Sequence, residues 1–510
     1  MKQKFYTIAT IVAILSIAVL SLSACGRNRN ENGRRQNNAL RIYDEATGLP
    51  IRTLTVRTSN LHTATIQQAA AAMNATWQER GEPYIFQVEI QDHPWHDWDG
   101  TEARQTRIKT ELMAGQGPDI IVHENMHQVH ALATSGFLQN IYTLIDEDPN
   151  SSIDEFFTQA LQAFEINNGL YVFPLSFGFD YVAVNANLPQ TFIDRFTQKS
   201  SISFTEMMAF YLDLMDAYGE EFGHLEPDGF AQLSSLFTMR STINEFIDFN
   251  TRTANLTDPS FIETLELFPR IYDDRVVLRV GQGGTPNMLG FMQDQTEEAV
   301  FFWFNIGLAH FDTFFAAEPP TFIHYIPLTD NHGRLMISNS LGGGGKVWAC
   351  ISIVTTGNQT LAWELARHMV YAYTNPVGLS ALNIVRGAPN LWGNRSFATP
   401  IMRSFFPEQP LRIFEHMYNE YYHPAFGPNT PRSRRMQGFT GFDDPANRTR
   451  QFTDAVNRIG VYNEQSMGLL FPLVPDYLFE DHLDQLLYGL ITAETAAQRM
   501  QNAVSLWLIE

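Results

Sequence analysis

The chain has 510 residues, of which 44% are hydrophobic and 17% are charged. It is therefore long and apolar enough to form two or three domains with buried cores, and intrinsic disorder is excluded. Its 55 acidic and 34 basic side chains give a net charge of -21, which disfavours nucleic acid and anionic lipid surfaces as partners and favours small neutral solutes. Two cysteines cannot form a disulfide framework or a CxxC metal site, and we expect no cofactor.

The amino terminus has the pattern of a secretory signal. Lys2 and Lys4 precede an apolar run, residues 5–22, that is too short and too soon ended to be a spanning helix. The segment at the end of this run, Leu22-Ser23-Ala24-Cys25, resembles the lipobox of bacterial lipoproteins. The resemblance implies cleavage before Cys25 and lipidation of its thiol, and two acyl chains are enough for stable anchoring. The alternative is an ordinary signal peptide that happens to have Cys after its cleavage site.

A polar segment follows, and then a regular alternation of strands and helices. Residues 26–39 are too polar to fold and would form a flexible tether with an end-to-end distance of roughly 20 Å. The elements predicted next are a strand at 53–57, a helix with Ile66, Ala69, Ala70, Met73 and Trp77 on one face, a strand at 84–90, a helix from Asp99 to Gly115, a strand at 119–122, a helix from Asn125 to Ser135 ended by Gly136, and a helix beginning at Ser152 with Glu155 in a capping box. This rhythm indicates a parallel sheet covered on both faces.

The remainder of the chain has fewer clear elements. Strands are predicted at 171–173, at 181–184 and at 347–355, and the first two are separated by a loop, Pro174–Asp180. The strand at 347–355 contains Cys350, which we expect to be a buried thiol. Helices are predicted at 361–374 and near the carboxyl terminus, where Thr492 is the N-cap and Ala496, Met500, Val504 and Trp507 share one face.

Several segments, in this order along the chain, resemble the extracellular solute-binding proteins of family 1. They are residues 111–120 with their Gly-Gln-Gly-Pro-Asp turn, residues 135–138 with Leu144, residues 169–174 with Tyr181 and Asn185, residues 357–364, and residues 489–497 with Glu510. Gly357 stands where the family usually has Lys. The segments together span nearly the whole mature chain.

The resemblance implies an α/β protein with the two-lobed periplasmic-binding-protein-like fold of type II, whose lobes are joined by several crossing segments around a central cleft. It implies a non-enzymatic monomer that passes a solute, typically a carbohydrate, to the permease of an ABC importer. The expected location is the outer face of the bacterial cytoplasmic membrane. The expected divisions are 1–24 (signal peptide), 25–39 (lipidated Cys and tether), 40–174 with 347–389 (lobe 1), and 175–346 with 390–510 (lobe 2).

Ligands of open α/β sheets lie beyond the carboxyl ends of the strands, so the residues after predicted strands are candidates for solute binding. They are Asn60 and His62 after the first strand, Trp95 and Trp98 after the second, His123 and Glu124 after the third, Phe177 and Asp180 at the first crossing, and Trp348 and Trp392 near later crossings. The Trp rings could stack on sugars, and the polar groups could bond hydroxyls. Turn or capping roles remain open for Asn60, His62 and Asp180, and a loop plugged against the lobe is the alternative for the two Trp.

One motif favours a different class of function. His123-Glu124-Asn125-Met126-His127 matches H-E-x-x-H, in which two His one helical turn apart bind zinc and the Glu activates water. Its context is unfavourable, because His123 ends a predicted strand whereas the motif belongs inside a helix. A zinc-dependent surface hydrolase is therefore the second hypothesis, and we expect no bound metal. A surface sensor, or a carrier of a non-sugar ligand, is the third.

Overall fold

The computed structural model describes residues 43–59, 62–93, 101–123, 129–222, 239, 242–271, 300–306, 322–338, 350–374, 399–400, 403, 465–469 and 474–509. The strands are β1 (Ile51–Ser59), β2 (Ile85–His93), β3 (Ile120–His123), β4 (Phe173–Pro174), β5 (Ser176–Asn185), β6 (Ile247–Asp248), β7 (Thr253–Ala254), β8 (Phe301–Ile306), β9 (Phe322–Pro327), β10 (Leu335–Ser338), β11 (Cys350–Ile353), β12 (Thr399–Pro400) and β13 (Met467–Leu469). The helices are α1 (Thr63–Arg80), α2 (Thr101–Met113), α3 (Val129–Thr134), α4 (Ile141–Glu147), α5 (Thr158–Gln162), α6 (Gln190–Thr197), α7 (Phe204–Phe222), α8 (Pro259–Ile271), α9 (Gln359–Thr374), α10 (Glu480–Leu487) and α11 (Ala493–Ile509).

The first sheet has the strand order β2-β1-β3-β11-β4. β1 runs parallel to β3, and β11 is antiparallel to both β3 and β4. The predicted strands and the predicted helical face are confirmed, since the five apolar residues expected on one side of α1 are its buried residues. The parallel arrangement holds for β1 and β3, whereas the strands that return later in the chain are antiparallel.

A glycine ends each of two helices where the sequence predicts it. Gly115 and Gly136 have φ values of +69° and +73°, in the left-handed region that a Cβ disfavours. After Gly136, the N–H of Phe137 bonds back to the carbonyl of Leu132 at 3.0 Å and satisfies a carbonyl of the last turn. α3 is described from Val129, so the start predicted at Asn125 lies outside the described residues.

Asp119, which belongs to the Gly-Pro-Asp segment that resembles family 1, directly precedes β3 and bonds that end of the strand to its neighbours. Asp119 Oδ2 accepts a hydrogen bond from Thr55 N at 2.9 Å, and its Oδ1 accepts from Thr356 Oγ1 at 2.9 Å and from Asn358 Nδ2 at 3.0 Å. Asp119 is buried, and one carboxylate thus bonds donors from β1 and from the segment after β11. Asn358, another residue of the resembling segments, is therefore a structural partner of Asp119.

The second sheet is built around β5. β8, β9, β10 and β12 pair with β5 antiparallel, and β13 pairs parallel with β10. The loop predicted for Pro174–Asp180 is wrong, because β5 already begins at Ser176 and only Leu175 separates it from β4 of the first sheet. Phe177 and Phe179 are buried, and an extended backbone there pairs with β12 and β10.

The apolar core of the first sheet continues onto one face of the second sheet, where it includes Phe177, Phe179 and Ile337. The opposite face of the second sheet packs against α6 and α7. A third cluster of buried residues joins α8, α10 and α11. The second sheet therefore lies between two apolar layers.

The helix predicted from Ser152 is wrong in length. Ser152 Oγ accepts from Asp154 N at 3.3 Å, but it caps a single 3-10 turn, Ile153–Glu155. Phe156 follows in an extended conformation, and its buried ring packs edge-on against Phe173. Burial of Phe156 has overridden the local capping signal.

The carboxyl-terminal helix follows the prediction. Thr492 Oγ1 accepts from Thr495 N at 3.3 Å, before α11. Ala496, Met500 and Val504 are buried, and Trp507 is half-buried against the same cluster. The cap and the apolar face are both confirmed.

The chain divides into two units, residues 1–51 and 52–510, and both sites described below lie in the second. The signal, Cys25 and the tether lie outside the described residues. Within the part that is described, no helix is both long and apolar enough to cross a membrane. Cys350 is buried on β11, as the sequence predicts.

Candidate functional site

The carboxyl ends of β1 and β3 form one edge of the first sheet, because these strands are parallel. We call Thr58, Ser59, His123 and the facing residue Cys350 the carboxyl edge. Cys350 lies opposite His123 on one side and Pro174 on the other, so the edge also contains the point where the chain leaves for the second sheet. Edges of this kind are the usual ligand sites of open α/β sheets.

His123 is buried at this edge as a neutral imidazole. Its Nε2 lies 2.7 Å from Ser352 Oγ, and that hydroxyl donates to the Tyr171 carbonyl oxygen at 2.6 Å. The single hydroxyl proton is thereby used, so His123 must donate through Nε2 and keep Nδ1 as an acceptor. Burial lowers the pKa of His123 to about 4, so the ring is uncharged near pH 7.

Two hydroxyl groups end β1 in the same region. Thr58 and Ser59 are 0% and 1% exposed, and their side-chain oxygens have no hydrogen-bond partner among the described residues. Buried hydroxyls are normally bonded, so these two are available to a further polar group. The sequence candidates did not include them; the available signal was a pair of hydroxyl residues directly ending an apolar strand.

The structure places four of the ten candidates. His62 is buried just before α1, where its carbonyl accepts from Ile66 N at 3.0 Å. His123 lies at the carboxyl edge. Phe177 is wholly buried with its ring 5.8 Å from that of Phe157, so it is part of the core rather than of a loop. Asp180 lies within β5, opposite Asn305 of β8, and not in the expected loop.

The other six candidates lie outside the described residues, and so does most of the H-E-x-x-H motif. These candidates are Asn60, Trp95, Trp98, Glu124, Trp348 and Trp392. For the zinc hypothesis only His123 can be assessed: it is the last residue of a strand paired with β11, and its Nε2 is engaged by Ser352. A zinc motif of this kind needs both His on one helix, and His123 lies on a strand instead.

A second site was not anticipated from the sequence. A cavity of about 450 Å³ lies against the β6–β7 hairpin, β10 and β13. Charged side chains contribute to its lining, namely Glu165, Glu245, Asp248, Asp258, Asp330 and Arg334. We call it the acidic cavity, and none of the ten sequence candidates lines it. The available signal was a carboxylate set among apolar residues, Asn244-Glu245-Phe246-Ile247.

Two neighbouring carboxyl groups dominate the electrostatics of the acidic cavity. Burial, together with the nearby Asp330 carboxylate, raises the pKa of Glu245 to about 8. Glu245 Oε2 accepts from Asn331 N at 2.8 Å. Asp330 Oδ1 accepts from Arg334 N at 2.7 Å, and its Oδ2 accepts from Arg334 Nε. Asp330 is therefore balanced by a guanidinium, whereas Glu245 is kept neutral near pH 7.

No protein-family model matches the chain, and no curated protein matches it in sequence. Solved structures match it in fold. The sugar-binding protein MalE from the phytopathogen Xanthomonas citri aligns over 90% of this chain and 98% of its own, with a TM-score of 0.51 and 11% identity. The chain has the two-lobed periplasmic-binding-protein fold. The predicted fold class is thus confirmed, and so, at the level of the fold, is the resemblance to family 1.

Two further solved structures align over similar lengths at lower scores. An extracellular solute-binding protein of family 1 from Alicyclobacillus acidocaldarius aligns over 90% of this chain and 99% of its own, with a TM-score of 0.46 and 14% identity. The cyclic alpha-maltosyl-1,6-maltose binding protein from Arthrobacter globiformis covers 90% of this chain, is itself covered over 99%, and has a TM-score of 0.46 at 13% identity. The fold assignment rests on the Xanthomonas citri match.

Proposed function

We propose that this protein is an extracellular solute-binding protein that captures a carbohydrate between its lobes and delivers it to an ABC importer. The observation that supports this most is the fold, which it shares over 90% of its length with a sugar-binding protein. Fold alone does not fix function, so the proposal also depends on the carboxyl edge and on the order of the motifs. Under this proposal the protein is a monomer, is not an enzyme and has no nucleic-acid partner.

The carboxyl edge has suitable chemistry for a neutral polyol. The imidazole of His123 is uncharged and has Nδ1 as an acceptor, while Thr58 and Ser59 supply two buried hydroxyls without partners among the described residues. Sugar hydroxyls both donate and accept, so they can pair with all three groups. The predicted roles of Asn60, Trp95, Trp98, Glu124, Trp348 and Trp392 belong to this proposal as stacking and hydroxyl-binding groups.

The short connection between the sheets gives the proposal a mechanism. Leu175 alone separates β4 from β5, so a small change of backbone angles there would rotate one sheet relative to the other. A solute that contacts both sides would favour the closed arrangement by its differential affinity. Closure would then signal to the permease that the protein is loaded.

The lipid anchor is the other part of the proposal. Lipidated Cys25 and the tether at 26–39 would keep the carrier close to the permease, on the outer face of the cytoplasmic membrane. The effective concentration of the carrier at the permease would rise as a result. Mass spectrometry of the native protein should find a diacylglyceryl adduct on an amino-terminal Cys25, and Cys25→Ser should release the protein from the membrane. A soluble, unmodified wild-type protein would remove the anchor and leave the binding function untouched.

Calorimetry against a panel of mono- and oligosaccharides tests the binding function. We expect heat from at least one carbohydrate, and about tenfold weaker binding in Thr58→Val, because one hydrogen bond to the sugar is lost. Thr110→Val on the exposed face of α2 is the matched control and should bind like the wild type. No heat from any sugar, with binding of another solute instead, would rule out the carbohydrate and retain the carrier.

Two measurements separate the remaining alternatives. About one tightly held zinc per purified chain, with a hydrolase activity that disappears in His127→Ala, would support the zinc enzyme and contradict the proposal. A zinc-free protein removes that enzyme. Permease genes next to the coding sequence would favour the importer partner over a surface sensor.

A further inference from the structure

The acidic cavity is separate from the carboxyl edge. Ser338, the last residue of β10, pairs with Gly178 near the crossing between the sheets. The cavity instead contacts Arg334 and Met336, which lie two to four residues earlier, or roughly 7–14 Å away along a strand. No residue of the carboxyl edge lines the cavity.

An incompletely bonded carboxyl group contributes to the cavity lining. Glu245 is only 8% exposed, and Asn331 N donates to its Oε2 at 2.8 Å. The side chain of Asn331 also interacts with this carboxyl and lowers its pKa, against the stronger effect of burial. An ionised carboxyl group has about four acceptor sites, so Glu245 keeps acceptor capacity for a donor that a ligand in the cavity would supply.

The other charges around the cavity favour a positive ligand. Asp258 caps α8, and hydrogen bonds from Ser260 hold its pKa below the usual range, so it is ionised at neutral pH. Arg334 is already paired with Asp330, which leaves Glu165 and Asp248 as further carboxylates of the lining. Carboxylates on the wall of a concave surface concentrate cations there.

The shape of the cavity favours an organic cation over a metal ion. Its volume of about 450 Å³ lies within the range of small-molecule sites. Within the described part of the chain, no three His, Cys, Asp or Glu side chains converge as a metal would require. Phe246 and Phe249 also contribute to the lining, and aromatic residues beside a cavity can attract a cation.

We propose that the acidic cavity is a second binding site, which takes a small organic cation with a primary ammonium group that donates to Glu245. The site goes beyond the carbohydrate function and does not depend on it. Binding would favour the ionised form of Glu245, so the carboxyl would release its proton as the ammonium enters. The groups around this carboxyl are Asp330, Arg334 and His332 on the β9–β10 segment, with Asp248, Asp258 and Glu165 on the remaining lining.

The probe is putrescine, with butane-1,4-diol as a neutral ligand of matched length, in calorimetric titrations of the full chain. We expect heat from putrescine only. Its affinity for the wild type should rise between pH 6 and pH 8, because Glu245 loses its proton over this range while alkylammonium groups stay charged. Titration in buffers of different ionisation enthalpy should show proton release at pH 7.

Glu245→Gln is the decisive variant, since it keeps the shape of the protonated carboxyl. At pH 8 it should bind putrescine about tenfold more weakly than the wild type, and its affinity should not depend on pH. Glu263→Gln on the exposed face of α8 makes the same charge change away from the cavity and should leave binding unaltered. Glu165→Gln should weaken binding less than Glu245→Gln does.

Three results would overturn the site: no putrescine binding at millimolar concentration, equal binding of the diol, or unaltered binding by Glu245→Gln. Carbohydrate titrations on the same protein separate this failure from that of the proposed function. Sugar binding without putrescine binding would reject only the cavity, and the reverse result would reject only the carbohydrate site.

Discussion

His123 at the carboxyl edge and Glu245 in the acidic cavity are both buried titratable groups, and burial keeps both neutral near pH 7. Desolvation disfavours the charged form of either group, so it lowers the pKa of His123 to about 4 and raises that of Glu245 to about 8. The neighbours differ: His123 bonds the neutral hydroxyl of Ser352, whereas Glu245 faces the carboxylate of Asp330. One physical cause therefore produces opposite responses to pH.

The two groups limit folding stability from opposite sides of the pH scale. Below the ordinary pKa of His, near 6.5, the unfolded chain binds more protons at His123 than the folded chain does, so stability falls towards pH 4. Above the ordinary pKa of Glu, near 4.5, the folded chain retains a proton at Glu245 that the unfolded chain loses, so stability falls as pH rises to 8. The two contributions offset each other between about pH 4.5 and 6.5.

The largest expected effect follows from removal of the carboxyl of Glu245. Between pH 5 and pH 8.5 its ionisation should reduce the free energy of unfolding of the wild type by roughly 4 kcal/mol. Glu245→Gln cannot ionise and should lose this slope, as measured by chemical denaturation at both pH values. Glu263→Gln, exposed on α8, should keep the wild-type slope. A Glu245→Gln protein as alkali-sensitive as the wild type would show that Glu245 is ionised in the folded state.

Replacement of His123 tests the predicted loss of folding stability below neutral pH. The wild type should lose about 2 kcal/mol of unfolding free energy between pH 7 and pH 5 through this ring. His123→Gln retains an N–H in a position similar to Nε2 and has no charge to gain, so its stability should be less sensitive over this interval. The same denaturation series measures it. If the variant and the wild type lose equal stability on acidification, His123 is already protonated or is open to water.

Ser352→Ala should have a smaller effect at constant pH. The change leaves the Nε2–H of His123 and the carbonyl of Tyr171 without their shared partner in a buried place, at a cost of about 1–2 kcal/mol. Thermal or chemical unfolding at pH 7 measures it, with the exposed Ser200→Ala as the control. An unaltered stability would mean that water replaces the hydroxyl.

The smallest effect is expected at a third buried titratable group, His130, and it has the opposite sign. His130 is 2% exposed, its Nε2 has no hydrogen-bond partner among the described residues, and its ring lies 4.6 Å from that of Trp507. His130→Phe preserves the aromatic contact and removes the unpaired nitrogen, so it should be neutral or stabilise by up to about 1 kcal/mol at pH 7. A loss of stability in the variant would instead indicate that Nε2 has a hydrogen-bond partner in the folded protein.

Local sequence signals were sufficient for much of the fold. The alternation in β1, the helical spacing in α1, the glycine at Gly136 and the cap at Thr492 each depend on residues within a few positions of one another, and all were confirmed. The errors occurred at Ser152 and at Pro174–Asp180, where the burial of Phe156 against Phe173 and of Phe177 against Phe157 decided the backbone.

The candidate sites divide in the same way. The sequence predicts a candidate site at the carboxyl end of β3, because parallel strands share a carboxyl edge and ligands of open α/β sheets lie beyond it. The neutral state and the tautomer of His123 could not be predicted from the local sequence, since they depend on Ser352, which is 229 residues away. The acidic cavity was missed entirely, because its carboxyl groups come from separate segments.

The sequence by itself determined the α/β class of the fold, the order of the elements from β1 to β3 and the cap and apolar face of α11, since periodicity, caps and motifs are local properties. Only the tertiary structure decided which buried groups meet and which charge state they adopt. Glu245 and Asn331 are 86 residues apart, yet their contact and the nearby Asp330 give this carboxyl its raised pKa. Desolvation and electrostatic coupling act through space, and the distance along the chain does not reveal them.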